Sequence, residues 1–287
     1  MTGSSERATT IDTLALLARG ATRPSRLRSN VTLTRELALT SFKLKYAGSA
    51  LGYMWSLMRP LMIFGMLYLV FALFLLKGRT APGENFPVEL LIGIIAWTFF
   101  AEATTASVSA VVANGEVLRK ALFPRWILVV AAVMSAAMTL VVNFSLILVL
   151  GLALRWYVIG WQSLLVPLLL LELVVLSLGV GMILASVFVY YRDVGYIWEI
   201  LQLLLFYASA ILFPLSLVPG HLQWLVALNP LAQVVEDMRR ALVSSTIPWS
   251  STVLGSKLAI PVIGVCLSLV VGVIVFRRLA RHFGERL

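Results

Sequence analysis

A compact charged stretch interrupts two long apolar segments of this 287-residue chain. It reads NGEVLRKALFPRW, from Asn114 to Trp126, and it carries acidic and basic side chains close together: Glu116, Arg119, Lys120 and Arg125. Asn114 is of a residue type that caps helices, and Pro124 ends the short helix that the stretch predicts. A short helix with one apolar and one charged face fits a groove on a partner protein. The spacing alone leaves a second interpretation open, in which the stretch only fixes the topology of the chain.

Side chains that usually carry catalysis are scarce in the rest of the sequence. The histidines are His221 and His282, and the chain contains no serine–histidine–aspartate set, HExxH motif, Cys/His cluster or P-loop. We therefore predict no catalytic residue, no bound cofactor and no metal site on this chain. A membrane-embedded glycan-processing enzyme is the alternative from another class, and it would turn over substrate without a partner.

The composition points to lipid as the solvent of most of the chain. Hydrophobic residues make up 60% and charged residues 13%, with a mean hydropathy of +0.96, whereas soluble domains carry about 25% charged residues. The net charge of +10 comes from basic residues spread between apolar segments, which argues against a nucleic-acid partner. The single cysteine, Cys266, excludes an intrachain disulfide.

Apolar segments of membrane-spanning length predict an all-α integral membrane protein with six transmembrane helices. A cytoplasmic tail over 1–30 and an amphipathic interfacial helix over 31–57 precede a permease domain over 58–277, and a tail over 278–287 follows. The expected spans are 60–76, with 54–58 as an inward extension, then 88–113, 126–154, 162–190, 197–218 and 258–276.

Two polar segments do not fit a span and predict helices at the membrane surface. Within residues 31–57, helical spacing places the following residues on one face: Leu33, Leu37, Ser41, Leu44 and Gly48. A solvated helix against a soluble partner is the alternative for this segment. Residues 219–247 predict two short half-inserted helices, broken at Asn229-Pro230 because a residue before proline resists helical geometry. The second of them carries an apolar stripe of Leu231, Val234, Val235, Met238 and Leu242.

The distribution of Lys and Arg predicts the orientation. With six spans, the side that holds both termini carries 17 basic residues and the other side carries 6. Positive charge stays inside, so both termini and the 114–125 loop are expected in the cytoplasm and 219–256 outside.

Some residues within or beside the spans are candidates for a transport pathway. Aromatic side chains on the first span recur at helical spacing: Phe64, Tyr68, Phe71 and Phe74. Glu102 and Glu172 lie near mid-span, where a carboxylate is costly and usually faces a cavity or a partner. Ordinary packing and a structural hydrogen bond, respectively, are the alternatives. Arg192 and Asp193 form a charged turn that is expected to contact a neighbouring loop or a partner.

Four segments of the chain, in order, resemble the ABC-transporter permeases that export polysaccharides. They are RELALTSFKLKYAGSALGYMWSLMRPLM (35–62), NGEVLRKALFPRW, YYRDV (190–194) and FPLSLVP followed by LNPLAQVVEDMRRAL (213–242). The matching positions are Leu51, Gly52, Trp55, Leu57, Pro60, Leu118, Phe123, Pro124 and Arg125, with Lys120 one place from its expected position. The resemblance covers about 31–277.

The resemblance implies a homodimer of this chain in the lipid bilayer, with two separate ATPase subunits that bind ATP and magnesium. Segment 114–125 would be the coupling helix, through Asn114, Glu116, Leu118, Arg119, Lys120, Phe123, Pro124 and Arg125. The interfacial region would form a substrate entry with Arg35, Glu36, Lys43, Tyr46, Trp55 and Arg59. Residues 219–247 would be external gate helices, with Asn229, Pro230 and Arg239.

The function implied is export of a polysaccharide on a polyprenyl diphosphate across the bacterial inner membrane. The glycan would be of the O-antigen, teichoic-acid or galactan type, and the excess of Arg over Lys, 18 against 5, is typical of GC-rich coding and favours a galactan. The alternatives are a drug or small-lipid exporter of the same superfamily and an ion-coupled transporter. The latter usually has an internal repeat, which this sequence lacks.

Overall fold

The computed structural model describes residues 23–49, 52–71, 86–115, 124–153, 156–157, 160–215, 218–244, 247–281 and 283. Every regular element in these ranges is a helix, so the all-α prediction is confirmed for the described chain. The α-helices are α1 (Arg23–Tyr46), α2 (Met54–Val70), α3 (Phe86–Ala113), α4 (Trp126–Ala153), α5 (Val166–Tyr190), α6 (Val194–Ala208), α7 (Gly220–Ala227), α8 (Pro230–Leu242), α9 (Ser250–Leu254) and α10 (Ala259–Ala280). Short 3-10 helices, Trp161–Leu165 and Gly255–Leu258, precede α5 and α10.

Four helical segments among the described residues are long and apolar enough to cross a membrane. They are Phe86–Ala113, Trp126–Ala153, Trp161–Tyr190 and Ser250–Ala280, at the positions of the predicted second, third, fourth and last spans. The shorter apolar helices α2 and α6 lie where the first and fifth spans are predicted. The chain is therefore a multi-pass membrane protein, and α2 begins at Met54 as the predicted inward extension requires.

The long helices form a bundle in which α3 and α5 are central. Helix α3 packs against α4 and α5, and α5 packs most extensively against α10. The α5–α10 crossing depends on glycine, since a Cβ added to Gly272 would lie 2.4 Å from the carbonyl oxygen of Gly179. Small residues that bring two backbones together are a common means of helix association in membranes.

Helix α1 lies against α4 and is separate from α2. From residue 30 onward, the buried side chains of α1 are Thr34, Ala38 and Tyr46, whereas Leu44 of the predicted apolar face is 56% exposed. Between α1 and α2, Gly48 and Gly52 have φ angles of 77° and 50°, which suit glycine. Aromatic contacts join α1 to the residue before α2. The Phe42 and Tyr53 rings stack with centroids 5.2 Å apart, and the Tyr46 ring is tilted against that of Tyr53 at 5.0 Å.

The predicted fifth span, 197–218, is not one continuous helix. Helix α6 ends at Ala208, Ala210 adopts a left-handed φ of 51°, and an irregular segment follows to Leu215. Apolar composition alone cannot reveal this break, because residues 209–215 are almost as apolar as the helix before them. The break leaves backbone carbonyls without helical partners, and the residue that satisfies them lies on α8.

Candidate functional site

Two cavities meet along one side of α3 and together form an indentation with many polar lining residues. Their volumes are about 370 and about 350 Å³, and both are lined by Glu102, Ala106 and Ser109. We call this continuous feature the α3 groove. The first cavity lies between α1, α3 and α4, and the second between α2, α3 and α6.

Hydrogen-bonding and charged side chains line the α3 groove. They come from α1, α2, α3, α4 and α6, and from Asn114 directly after α3. In the first cavity they are Ser41, Lys45, Glu102, Ser109, Asn114 and Ser135, and in the second Arg59, Thr98, Glu102, Thr105, Ser109 and Gln202. Exposing such groups to lipid costs free energy. Their concentration here is therefore suited to a polar substrate or to water rather than to lipid chains.

An ion pair between Lys45 and Glu102 closes one part of the α3 groove. The Lys45 Nζ and Glu102 Oε1 atoms are 2.5 Å apart, and the side chains are 38% and 21% exposed. The pair joins the N-terminal helix α1 to the middle of α3. Because both groups are partly solvated, the pair contributes little stability, about 1 kcal/mol or less, and it can exchange for another charged partner.

Gln202 fixes the opposite wall of the α3 groove. Its Nε2 donates to the hydroxyls of Thr105 at 2.9 Å and Thr104 at 3.2 Å, and to the Ala101 carbonyl at 3.2 Å. The Trp198 indole also donates to the Thr104 hydroxyl, at 3.3 Å. These bonds attach α6 to α3. The sequence signal for this contact was an amide side chain within a mostly apolar segment. The sequence analysis did not identify Gln202 or Lys45 as candidate site residues.

The aromatic stripe predicted on the first span is only partly available to a substrate. The Phe64 and Tyr68 rings stack with centroids 5.7 Å apart, whereas Phe71 packs on Phe86 of α3 at 5.6 Å. Phe64 and Phe71 are half-buried and Tyr68 is 39% exposed. Phe74 lies outside the described residues.

Glu172, the second predicted pathway carboxylate, does not line the α3 groove. It is half-buried on α5 beside Gln233 and Asp237 of α8. Asp237 accepts from Gln233 Nε2 at 3.0 Å and from the Ser250 backbone at 2.8 Å. The Oε1 atoms of Glu172 and Gln233 are buried without a hydrogen-bond partner in the described chain. The structure thus brings Glu102 and Arg59 together and places Glu172 apart from them.

The predicted entry residues differ in their surroundings. Arg35 and Glu36 form an exposed ion pair at 3.9 Å, and Lys43, Trp55 and Arg59 are also exposed. Tyr46 is 8% exposed, and its hydroxyl lies 3.5 Å from that of Thr139.

A polar contact that the sequence analysis missed anchors the start of α2. Asn143 Nδ2 donates to the Ser56 carbonyl and the Ser56 hydroxyl donates to Asn143 Oδ1, both at 3.0 Å. The paired bonds attach α2 to α4. They fix the position of Arg59, one turn further along α2, relative to the bundle.

Of the predicted coupling residues, the structure describes Asn114, Pro124 and Arg125, while Glu116, Leu118, Arg119, Lys120 and Phe123 lie outside the described residues. The Asn114 amide nitrogen donates to the Ala110 carbonyl at 2.8 Å, so this amide closes the carboxyl end of α3. Arg125 donates to the carbonyl of Ala280 at the end of α10. In the charged turn, Arg192 and Asp193 are both exposed, and the Arg192 guanidinium lies 5.2 Å from the centroid of the Phe188 ring.

The helix break predicted at Asn229-Pro230 is present. Helix α7 ends at Ala227 and α8 begins at Pro230, and Asn229 caps α8 by accepting from the Leu231 backbone at 3.0 Å. Its amide also donates to the Ser209 hydroxyl at 2.9 Å, just after the end of α6. The predicted stripe of α8 is buried throughout, from Leu231 to Leu242.

Arg239 is a fully buried cation that holds the irregular segment after α6. Its guanidinium donates to the carbonyls of Ala210 at 2.9 Å, Ile211 at 2.8 Å and Phe213 at 3.2 Å, and to that of Glu89 at 3.0 Å. Its charge is balanced by Glu236 at 3.1 Å, with both side chains at most 2% exposed. Five guanidinium donors in a planar fork suit this cluster of orphaned carbonyls.

Comparison with known proteins identifies the class of the chain. Residues 32–243 match the family model described as ABC-2 type transporter, so the chain belongs to that family. It is 28% identical over 249 residues to the O-antigen export system permease protein RfbA of Klebsiella pneumoniae, covering 85% of this chain and 90% of that protein.

Two further relatives agree with this assignment. The RfbA protein of Myxococcus xanthus is 28% identical over 74% of this chain and 80% of its own length. The polysialic acid transport protein KpsM of Escherichia coli is 27% identical over 71% of this chain and 79% of its own length. The predicted family and the assignment as a transport subunit rather than an enzyme are confirmed.

Proposed function

We propose that this chain forms the channel of an ATP-driven exporter that moves a lipid-linked polysaccharide across the bacterial inner membrane. Membership of the ABC-2 family and the relatives named for O-antigen export and polysialic acid transport support the class of cargo. The observation that carries the proposal is the α3 groove, because it sets hydroxyl, amide and carboxylate groups within the span region. Sugar hydroxyls pair with such groups, whereas lipid chains do not.

The two ends of the cargo make different demands, and the α3 groove contains groups for both. Glu102, Thr98 and Gln202 provide acceptors and donors for sugar hydroxyls, and Trp97 lines the same cavity as an aromatic surface. Lys45 and Arg59 supply positive charge for a diphosphate headgroup. The diphosphate would compete with Glu102 for Lys45, and α1 would then be released from α3. A galactan is the preferred glycan on the composition argument given above.

The chain is proposed to work as a homodimer with two separate ATPase subunits that bind ATP and magnesium. Both termini and 114–125 are on the cytoplasmic side in this proposal, six helices cross the membrane, and 219–247 gate the outer end. In this proposal the exposed apolar side chains of α2 and α6, such as Met66 at 73% and Ile200 at 63%, face lipid or the second copy of the chain. The ATPase subunit must contact 114–125 differently with and without ATP. A contact of equal free energy in both states would not shift the conformational equilibrium of the channel.

The decisive experiment is co-purification from membranes, followed by ATPase assay of the complex with and without the lipid-linked glycan. Recovery of a P-loop subunit in equal amount, and a change in its turnover on adding the glycan, is the expected result. A chain that purifies alone and is inactive with every ATPase of the same cell would remove the proposal. A small-lipid exporter would instead respond to a lipid without a diphosphate.

A triple substitution tests the coupling role of 114–125. Replacing Glu116, Arg119 and Arg125 with alanine should abolish export and glycan-stimulated ATP hydrolysis while the protein stays inserted in the membrane. The matched control is Arg192→Ala on the neighbouring charged turn, which should reduce stimulation less. Normal export by the triple variant would refute the coupling role.

A further inference from the structure

The carboxyl end of the last span is bonded to two distant parts of the chain. The Tyr190 hydroxyl, at the end of α5, donates to the Leu279 carbonyl at 2.9 Å, and the Arg125 guanidinium donates to the Ala280 carbonyl. Carbonyls in the last turn of a helix have no helical N–H partner. A guanidinium at this end also complements the negative pole of the helix dipole.

Phe283 completes this connection. Its side chain is fully buried, and its ring centroid lies 5.7 Å from that of Phe276 and 6.2 Å from that of Tyr190. The Arg125 guanidinium lies 5.7 Å from the centroid of the same ring, within the range of a cation–π interaction. Phe283 belongs to a buried cluster with Val111 of α3, Val129 of α4, Val189 of α5 and Phe276 of α10.

These contacts all gather at the same end of the bundle. Helix α3 ends and α4 begins on either side of 114–125, and α5 ends at the charged turn before α6. The last turn of α10 and Phe283 contact Arg125 just before α4 and Tyr190 at the end of α5. The residues Arg125, Tyr190, Leu279, Ala280 and Phe283 are called the C-terminal tie below.

We propose that the C-terminal tie makes the exit of 114–125, the end of α5 and the end of α10 move as one body, with Phe283 as a positioning residue for coupling. This inference rests on the proposed function. Displacement of 114–125 by the ATPase subunit would otherwise act directly only on α3 and α4, the two helices that this segment joins. Through Arg125 and Phe283 it also reaches α5 and α10, the most extensively packed pair of spans.

The test uses the complete complex with its ATPase subunits in lipid nanodiscs for hydrolysis and in sealed vesicles for export of the lipid-linked glycan. The quantity measured is glycan exported per ATP hydrolysed, per assembled complex. Phe283→Ala should retain assembly and basal hydrolysis and reduce this ratio at least several-fold. Phe283→Leu, which keeps an apolar side chain of similar reach, should restore most of it. Tyr190→Phe, which removes one hydroxyl, should reduce the ratio less than Phe283→Ala.

A buried phenylalanine away from the C-terminal tie provides the control. Phe144, in α4 and 8% exposed, should lower thermal stability when changed to alanine and leave the ratio unchanged. If Phe283→Ala lowers yield or stability but keeps the wild-type ratio, Phe283 is only a packing residue and the inference is wrong. If Phe283→Ala does not assemble, an unchanged ratio in Tyr190→Phe overturns the inference. Absence of glycan-dependent hydrolysis in the wild-type complex would refute the proposed function instead.

Discussion

Two ion pairs in this protein are built from the same chemistry and placed in opposite surroundings. Glu236 and Arg239 are at most 2% exposed, while Lys45 and Glu102 are 38% and 21% exposed. The buried pair is surrounded by backbone carbonyls that accept from Arg239, and Glu236 in turn accepts from the Leu215 backbone at 3.1 Å. The exposed pair lines the α3 groove.

The difference in surroundings separates a structural pair from an exchangeable one. A buried charge without partners is very costly, so the Glu236–Arg239 pair persists only because nearly every donor and acceptor is satisfied. The segment after α6 in turn needs Arg239, since buried backbone carbonyls without helical partners must be hydrogen-bonded within the protein. The Lys45–Glu102 pair has solvent access, and the free energy of breaking it is small.

The largest effect is expected for Arg239→Ala. Removing the guanidinium leaves Glu236 uncompensated and removes the donor to four carbonyls, which should destabilise the fold by about 3–5 kcal/mol or more. Detergent-solubilised protein should lose its monodisperse peak on size-exclusion chromatography after mild heating, under conditions where wild type survives. A stable, monodisperse Arg239→Ala protein would remove the structural account of this pair.

A double variant separates the charge of the pair from its carbonyl contacts. Replacing an isolated buried ion pair with apolar residues is often neutral. Here Glu236→Leu with Arg239→Met should remain nearly as unstable as Arg239→Ala, because the carbonyls after α6 still lack donors. Recovery of wild-type thermal stability by the double variant would show that only charge balance matters.

Glu236→Gln should have an intermediate effect. Leu215 and Arg239 donate to different oxygens of Glu236. Glutamine keeps only one of these acceptors, places an NH2 donor at the other position and loses the negative charge beside a buried guanidinium. We expect destabilisation of about 1–3 kcal/mol, measured as a lower midpoint of thermal aggregation. A midpoint equal to that of Arg239→Ala would mean that the charge of Glu236 contributes as much as all the carbonyl contacts together.

The sequence predicts what depends on local rules and misses what depends on distant contacts. The break at Asn229-Pro230 follows from proline stereochemistry, and the four long apolar helices follow from apolar length. The early end of α6 depends on Arg239, which is 29 positions beyond the Ala210 carbonyl it binds. The pairing of Lys45 with Glu102 joins residues 57 positions apart. Glu102 could be singled out as a costly carboxylate within a span, but its partner could not be identified from periodicity.

Charge exchange in the α3 groove should affect transport more than stability. Lys45→Glu or Glu102→Lys alone should change thermal stability by less than about 1 kcal/mol and reduce export several-fold. The double exchange should restore the ion pair and the attachment of α1 to α3. It should not restore export, because the positive charge proposed for the headgroup and the carboxylate proposed for sugar hydroxyls have changed places.

The exchange experiment therefore sharpens the comparison between the two pairs. Export and stability are measured on the same vesicle preparations. Lys257→Glu, at an exposed position of the short helix Gly255–Leu258, is the control for general charge effects. If the double exchange recovers wild-type export, the Lys45–Glu102 pair only attaches α1 to α3. Its role would then be structural, like that of the Glu236–Arg239 pair. The proposed binding of substrate by these two side chains would then be wrong.

The smallest effect on export is expected from substitutions in the aromatic stripe of α2, which carries no charge and lies beside the α3 groove. Phe71 packs on Phe86 and Tyr68 is the more exposed ring, so Tyr68→Ala should slow polymer passage modestly without altering dimer assembly. Phe71→Ala should act mainly on stability, by about 1–3 kcal/mol, since it removes packing. Initial rates of glycan export and thermal midpoints of both variants distinguish these effects. Equal export by wild type and the Tyr68→Ala, Phe71→Ala double variant would show that the stripe serves only helix packing. The α3 groove would then be the sole candidate pathway surface among the described residues.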